Sequence, residues 1–292
     1  SKIASQVKLS RDAVDYRIKR LVEKGVIIGF APLLHIKKFG YYKFHLFLRL
    51  DEKDKSKQQD MIDFLIKHPN VRNIIEYSDR WDLEIVIFSK NLKEFDEIVT
   101  DLNSRFNDVI KDKEQYQIIK NYNSVHIPYK MYERSGSPIL TSGIDDEVFD
   151  FDSRDLMILK LLSQNARMST YKIGEKVSLS PDAVSYRIKK MIDAGVIIKF
   201  TIIVNLSILG YDWYTFTVGF SNLDIKNQMK LKEFIRNHPY IIRAVKTFGN
   251  KELLLYIVSD SAKTFHKTVK EIKNQFSDII ETYETWLAFK EH

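Results

Sequence analysis

Residues 180–198 read SPDAVSYRIKKMIDAGVII, and residues 10–28 read SRDAVDYRIKRLVEKGVII. These two stretches start 170 residues apart. When the sequence is aligned with itself at this offset, matching residues continue, less densely, beyond them. Gly40-Tyr41, for example, meets Gly210-Tyr211 at that offset. A similarity with one fixed offset over this length indicates a tandem duplication of one structural unit.

The stretch from residue 180 predicts a helix that follows a tight turn. Ser180 is a good N-cap residue, and Pro181 takes the first helical position, where its missing N–H costs nothing. Gly195 is a typical residue just beyond a helix C-terminus. The copy at residues 10–28 predicts the same helix.

Other predicted elements surround this helix in the second copy. Two helices precede it, at 152–164 and 169–177, and two strands of a wing follow it, at 196–200 and 202–204. Three short helices with a tight turn before the third present a recognition helix to the major groove of DNA. The first copy has no counterpart of the first helix, so we expect that this chain lacks a natural N-terminal helix.

The rest of each copy alternates strand, helix, strand, strand, helix, strand. In the second copy the predicted elements are 211–220, 226–237, 241–248, 253–259, 262–276 and 283–289. This order predicts a ferredoxin-like four-stranded antiparallel sheet with helices on one face. The other face needs a cover, and the equivalent sheet of the other copy is the obvious one.

We therefore predict an α+β fold of two tandem units, each a winged helix-turn-helix followed by a ferredoxin-like βαββαβ domain. The predicted domains are 1–34 and 35–126 in the first copy, a linker at 127–151, and 152–205 and 206–292 in the second copy. The linker is predicted from its proline, glycine, serine and acidic residues.

Composition narrows the possible functions. The 292 residues contain no cysteine, which excludes a disulfide scaffold, a thiol nucleophile and cysteine-ligated zinc. No apolar run approaches the roughly 18 residues of a membrane span, and we expect a cytoplasmic protein. The net charge is +7, and residues 1–30 and 152–200 each carry a clear basic excess. The positive field is thus concentrated where a helix-turn-helix contacts phosphates.

The outward face of each predicted recognition helix carries hydroxyl and cationic groups, which contact bases and phosphates in protein–DNA complexes. The predicted DNA-binding residues are Arg11, Tyr16, Arg17, Lys19, Arg20, Ser180, Ser185, Tyr186, Arg187, Lys189 and Lys190. For Arg17 and Arg187, an ion pair with acidic residues of the same helical module is an equally good interpretation.

These motifs together resemble the Lrp/AsnC family, the "feast/famine" regulators. The residues that carry the resemblance are Asn165-Ala166-Arg167-Met168-Ser169, the stretch 179–190, Gly195-Val196-Ile197 and Leu209-Gly210-Tyr211, with Leu9-Ser10, Gly25-Val26-Ile27 and Phe39-Gly40-Tyr41 in the first copy. The resemblance implies a transcription regulator that binds roughly palindromic double-stranded DNA as a dimer. In a duplicated chain it implies an intramolecular pseudo-dimer, open to further self-association.

The resemblance also implies a small-molecule effector, such as an amino acid, bound near the turn between the second and third strands of the α+β domain. The family pattern at this turn is close to Gly-Asp-x-Asp. The second copy has Gly249-Asn250-Lys251-Glu252, and the first has Asp79-Arg80-Trp81-Asp82. Asp79 replaces the glycine and Trp81 is bulky, a departure that disfavours effector binding in the first copy.

Two other functions are possible for a chain with this predicted architecture. The first is a haem-precursor (tetrapyrrole) decarboxylase-like enzyme, which the architecture also resembles and which needs converging histidine, arginine or tyrosine side chains. Only His68 and His238 recur between the copies, each before a proline where a helix ends, which favours a structural turn. No Gly-rich phosphate loop, HExxH motif or nucleophile elbow is present, so we expect no enzyme, no cofactor and no metal. The second is an assembly protein without DNA binding, which the outward cations of both copies disfavour.

Overall fold

The computed structural model describes residues 2–51, 53–131 and 146–292. The chain divides into two compact units, and each draws on both halves of the sequence. Ser1–His35 and Phe149–Tyr211 form the helical unit, and Ile36–Val148 and Asp212–His292 form the barrel unit. Residues 132–145 of the predicted linker lie outside the described residues.

The order of elements in the first half recurs in the second. The first half contains α1 (Lys2–Gln6), α2 (Arg11–Glu23), β1 (Ile27–Leu34), β2 (Tyr42–Leu50), α3 (Lys55–Lys67), β3 (Val71–Tyr77), β4 (Leu83–Ser89), α4 (Leu92–Phe106) and β5 (Ile110–Ser124). The second half contains α5 (Ser153–Gln164), α6 (Thr170–Val177), α7 (Pro181–Asp193), β6 (Ile197–Val204), β7 (Asp212–Phe220), α8 (Ile225–Asn237), β8 (Ile241–Phe248), β9 (Leu253–Ser259), α9 (Ala262–Gln275) and β10 (Ile280–Glu291). Among the described residues, none of these helices is both long and apolar enough to cross a membrane.

The two predicted recognition helices form where their local signals place them. The Ser180 hydroxyl accepts a hydrogen bond from the Ala183 N–H at 3.2 Å at the start of α7. Ser10 caps α2 in the same way, at 3.1 Å from the Ala13 nitrogen. Beyond α7, Gly195 has a φ of +73°, a conformation in which glycine is favoured.

The predicted wing differs from the structure. Each copy was expected to make a pair of wing strands, but residues 197–204 form the single strand β6. This strand pairs antiparallel with β1 of the other copy, for example Ile202 with Phe30. The segment 197–204 reads IIKFTIIV and has no residue suited to a hairpin turn, so it continues as one strand and pairs with a distant one.

The barrel unit contains one closed eight-stranded sheet in the order β10-β3-β4-β2-β5-β8-β9-β7. The sequence predicted two separate four-stranded sheets, face to face. The difference comes from β5 and β10, which are 15 and 12 residues long. β5 pairs with β2 and then with β8 of the other half, and β10 pairs with β7 and then with β3. Because this sheet is closed, none of its eight strands is an edge strand.

Each half of the barrel unit buries its own apolar core between its strands and its two helices. Phe44 of β2 stacks on Phe95 of α4 at 4.2 Å between ring centroids, and Tyr214 of β7 stacks on Phe265 of α9 at 3.9 Å. Because side chains alternate along a strand, the residues between these core positions face the barrel interior. That second face carries the polar groups described below.

Candidate functional site

Most of the predicted DNA-binding side chains lie on the solvent side of α2 and α7. Tyr16 and Tyr186 are 62% and 70% exposed, which is high for aromatic side chains. The other exposed members of the set are Arg11, Arg17, Lys19, Arg20, Ser180, Ser185, Lys189 and Lys190. Their roles remain predictions, but the geometry leaves hydroxyl and cationic groups available on both helices.

Arg187 is the exception, because it is held inside the helical unit. Its Nη1 donates to Asp152 Oδ2 at 2.6 Å and to Asp155 Oδ1 at 2.8 Å, both at the start of α5. Asp155 is only 3% exposed, so its carboxylate needs a partner. Arg17, at the equivalent position of α2, is exposed and makes no ion pair among the described residues. The two arginines therefore have different surroundings.

Replacing Arg187 by methionine should lower the free energy of unfolding by about 1–3 kcal/mol, because Asp155 loses its charged partner in a buried position. The Arg17→Met variant removes the same charge from the equivalent position and should leave stability nearly unchanged. Urea unfolding followed by far-UV circular dichroism measures both. Equal losses in the two variants would contradict a structural role specific to Arg187.

The acidic residues that end the two predicted effector turns have equivalent structural contacts. The Asp82 carboxylate accepts a hydrogen bond from the Leu50 N–H at 2.6 Å. The Glu252 carboxylate accepts one from the Phe220 N–H at 2.7 Å. Both acids thus fasten their turn to the last residue of a neighbouring strand, β2 or β7. This contact accounts for an acidic residue here without invoking a ligand.

Basic residues of both turns converge on Glu284 in β10. Arg80 Nη1 lies 2.6 Å from Glu284 Oε1, and its guanidinium group sits 5.1 Å from the centroid of the Trp81 ring system. Lys251 Nζ lies 3.4 Å from the same carboxylate oxygen. Gly249 has a φ of +147°, and an added Cβ would approach the Tyr116 ring to 2.8 Å. Only glycine fits at that position.

Asp79 and Asn250 complete the two turns. Asp79 Oδ2 accepts a hydrogen bond from the Leu287 N–H at 2.9 Å, so this residue ties the first turn to β10. Asn250 is exposed at the tip of the second turn. Of the exposed predicted effector residues, Asn250 is therefore the one whose polar side chain makes no hydrogen bond or ion pair within the described part of the chain.

A buried polar cluster, which the sequence analysis did not identify, lies in the barrel interior. The Glu84 carboxylate accepts hydrogen bonds from Tyr77 at 2.5 Å, and from Tyr256 and His45 Nδ1. Thr215 Oγ1 lies 2.7 Å from the Tyr77 hydroxyl. Each of these residues is at most 2% exposed. We call these five residues the Glu84 cluster.

The protonation of the cluster follows from its burial. Burial and the charge of Lys43, against the opposing effect of Glu84, lower the pKa of His45 to about 4. Burial raises the pKa of Glu84, but His45 and the two tyrosine hydroxyls outweigh it and leave that pKa below its ordinary value. Glu84 is thus ionised and His45 neutral at pH 7. His45 then donates through Nδ1, and its buried Nε2 is an acceptor that has no partner in the part of the chain that the structure describes.

Comparison with known proteins identifies the family. Residues 151–198 match the model of winged helix-turn-helix DNA-binding domains. The HTH-type transcriptional regulator LrpB of Bacillus subtilis (strain 168) is 31% identical over 140 residues, which cover 48% of this chain and 89% of LrpB. The chain belongs to the Lrp/AsnC family of transcription regulators. The proline dehydrogenase transcriptional activator of Rhizobium radiobacter is 37% identical over 123 residues, covering 42% of this chain and 79% of the activator.

A solved structure corrects one expectation. The siroheme decarboxylase NirDL matches this Lrp/AsnC-family chain over its whole length and over 85% of NirDL, with a TM-score of 0.67 and 12% identity. At this identity the likeness shows the shared fold. The prediction that the chain is not an enzyme is wrong on this finding, because a protein of the same architecture is an enzyme.

Proposed function

We propose that the chain is a sequence-specific DNA-binding transcription regulator that acts as an intramolecular pseudo-dimer. The observation that carries the proposal is that one compact unit holds two exposed recognition helices, α2 and α7, with equivalent serine caps. The pairing of β1 with β6 joins the two modules. A pair of recognition helices in one unit is what a roughly palindromic site requires.

The two half-sites should differ in sequence. At equivalent positions, α2 has Arg11 where α7 has Pro181, and α2 has Asp15 where α7 has Ser185. A carboxylate and a hydroxyl favour different base edges, because the carboxylate only accepts hydrogen bonds. In a footprint of the bound DNA, we expect the two half-sites to differ in base sequence.

A charge-matched pair of variants tests the recognition helix. Replacing both Lys189 and Lys190 by glutamine should weaken binding to a selected DNA fragment and reduce the slope of log K against log [salt] by up to about two units. Replacing Lys263 and Lys270, two exposed lysines of α9, makes the same change in net charge away from that helix and should leave the slope unchanged. Electrophoretic shift titrations at several salt concentrations measure both. Equal losses in the two double variants would place the contact face elsewhere.

The composition of the Glu84 cluster supports pairing between the two halves of the chain. Glu84 belongs to the first half and Tyr256 to the second, and their equivalents in the other half are Leu254 and Val86. Pairing two first halves would bury two Glu84 carboxylates in one interior without the hydroxyl of Tyr256. A buried carboxylate is less stable when it loses a hydrogen-bond donor, so each first half gains by pairing with a second half.

The effector is also a proposal, an amino acid or related small molecule at the turn 249–252. It rests on membership of the Lrp/AsnC family and on the exposure of Asn250. Thermal unfolding in the presence of each amino acid should reveal one that raises Tm, and Asn250→Ala should abolish that rise. An unchanged Tm with all of them would remove the amino acid effector from the proposal.

A second function is proposed because NirDL shares the fold over the whole chain. It is decarboxylation of a tetrapyrrole such as siroheme. The Glu84 cluster supports it, since histidine and tyrosine side chains converge there. Anaerobic incubation with siroheme, followed by mass spectrometry, should then reveal a product that has lost carbon dioxide. Salt-sensitive DNA binding without tetrapyrrole conversion would leave only the regulator.

A further inference from the structure

One end of the barrel brings together three cations. Strands β2, β3, β7 and β8 run in the same direction, because β4 pairs antiparallel with both β2 and β3, β5 with both β2 and β8, and β9 with both β7 and β8. Their first residues therefore meet at the same end. Lys43, Arg72 and Arg243 each lie within the first three residues of β2, β3 and β8. This end is opposite to the turns that follow β3 and β8.

None of these three cations has an ion-pair partner in the part of the chain that the structure describes. The Arg243 guanidinium group lies 5.3 Å from the centroid of the Tyr256 ring, and no carboxylate contacts it. Glu84, whose charge raises the pKa of Lys43, already accepts hydrogen bonds from Tyr77, Tyr256 and His45. Asp212, the first residue of β7, and Glu291, the last residue of β10, also lie at this end, but both are exposed, and among the described residues neither makes an ion pair with these cations. The three cations are thus left without direct ion pairs.

The titration of Lys43 reflects these surroundings. Burial, together with the charges of Arg243 and Arg72 and against the opposing effect of Glu84, lowers its pKa to about 7. A lysine held among like charges in a partly buried position is unfavourable for folding unless something else uses it.

A fourth donor group points to what this end would hold. Trp213, the second residue of β7, has its ring 5.8 Å from that of Tyr256, and its buried Nε1 has no hydrogen-bond partner among the described residues. Buried donors are nearly always paired in native proteins. Ammonium, guanidinium and indole N–H groups all donate and never accept. Because two of these donor groups are cationic, the group that satisfies them best is an oxyanion, which carries negative charge and only accepts hydrogen bonds.

We propose that this end of the barrel binds the carboxylate or phosphate group of a small molecule, held by Lys43 and Arg243 with a hydrogen bond from Trp213. Arg72, at the more exposed edge, adds to the attraction. The site is separate from the predicted effector turns and from the recognition helices. The proposal rests on neither proposed function, and neither DNA binding nor tetrapyrrole conversion is needed to test it.

The experiment titrates the full chain with citrate, a carboxylate probe, and with inorganic pyrophosphate, a phosphate probe, at constant ionic strength in a buffer free of both. Isothermal titration calorimetry measures affinity and stoichiometry, and tryptophan fluorescence reports on Trp213. The variants are Lys43→Met, Arg243→Gln and Trp213→Phe. Lys263→Met, in exposed α9, is the charge-matched control. Thermal unfolding of each variant shows that it is folded before it is titrated.

The expected result is saturable one-to-one binding of at least one probe, with Kd below about 10 mM. Arg243→Gln should weaken it about tenfold or more, and Lys43→Met should weaken it more at pH 6.5 than at pH 8.5. The fluorescence change should disappear in Trp213→Phe. Binding of citrate alone identifies a carboxylate ligand, and binding of pyrophosphate alone a phosphate ligand. Absence of binding by both probes, or an equal loss in Lys263→Met, would overturn the proposal.

Discussion

Replacing Glu84 by leucine should lower the free energy of unfolding by about 3 kcal/mol or more, one of the two largest effects expected in this chain. The carboxylate is fully buried and is the common acceptor for His45, Tyr77 and Tyr256. Without it, three buried donors lose a charged acceptor at once. Leucine is the residue that the second half carries at the equivalent position, 254, so its size suits a strand facing the barrel interior.

A second substitution should recover part of the stability lost in Glu84→Leu, and this recovery is the control. In the Glu84→Leu background, replacing Tyr256 by phenylalanine removes a hydroxyl that has lost its acceptor and should be nearly neutral or stabilising. In the wild-type background, the same replacement breaks a hydrogen bond to a charged group and should be destabilising. Urea unfolding of the four proteins forms a double-mutant cycle, and we expect a coupling energy of about 1–3 kcal/mol.

Glu76 allows a comparison with the loss of stability expected when a less buried carboxylate is removed. Glu76 of β3 pairs with Lys290 at 3.3 Å and with His292 at 2.5 Å, and its side chain is 18% exposed. Glu76→Leu should destabilise the protein less than Glu84→Leu, because water replaces part of the lost interaction. A larger loss for Glu76→Leu, or additive effects in the double-mutant cycle, would mean that the Glu84 cluster does not act as one network.

The sequence predicted the helices well because their signals are local. Ser180, Pro181 and Gly195 specify the start and end of α7 within a few residues of the helix itself, and the structure places its ends within a residue of the prediction. The family could also be recognised from that segment. The strand order within each half follows from the alternation of elements, which is likewise visible in a single sequence.

The pairing between halves could not be predicted in the same way. The pairing of β1 with β6, and closure through the long strands β5 and β10, join residues more than 100 positions apart, and no local pattern specifies such partners. The repeat suggested that two sheets would face each other, yet it could not show that their edges would join. Strand length was the available signal, and β10 was predicted shorter than it is.

The Glu84 cluster was missed for a related reason. Histidines that recur between the copies are the stronger signal in the sequence, and His45 has no counterpart because Thr215 occupies its equivalent position. A usable signal existed, since Glu84 lies alone within the apolar strand LEIVIFS. A lone charged residue in a strand buried on both faces implies a buried partner. What the sequence cannot give is the identity of that partner.

Replacing Lys43 by methionine should stabilise the protein, and the gain should be larger at pH 6.5 than at pH 9. The folded-state pKa of Lys43 is lowered to about 7 from an ordinary value of 10.5. The unfolded chain therefore binds more protons than the folded chain between those two values, and stability rises with pH across that window. Below pH 7 the full penalty of keeping the ammonium group in the barrel applies. Methionine keeps the length of the side chain and removes the charge.

The magnitude follows from the shift of that pKa. At about 1.4 kcal/mol per pKa unit, the gain in Lys43→Met should be on the order of 3–5 kcal/mol near pH 6.5 and about half of that near pH 9. Urea unfolding of both proteins at several pH values between 6.5 and 9.5 measures the difference. This range stays below the titration of tyrosine, and the raised pKa values of Tyr77 and Tyr256 therefore do not interfere.

Two results would contradict this account of Lys43. A gain that is the same at every pH would attribute the stabilisation to packing of the methionine and not to the lost charge. A loss of stability near pH 6.5 would mean that an internal partner compensates the ammonium group in solution. Under the proposed oxyanion site, the expected outcome is a more stable protein that binds the anion more weakly, since residues that serve a ligand are often unfavourable for folding without it.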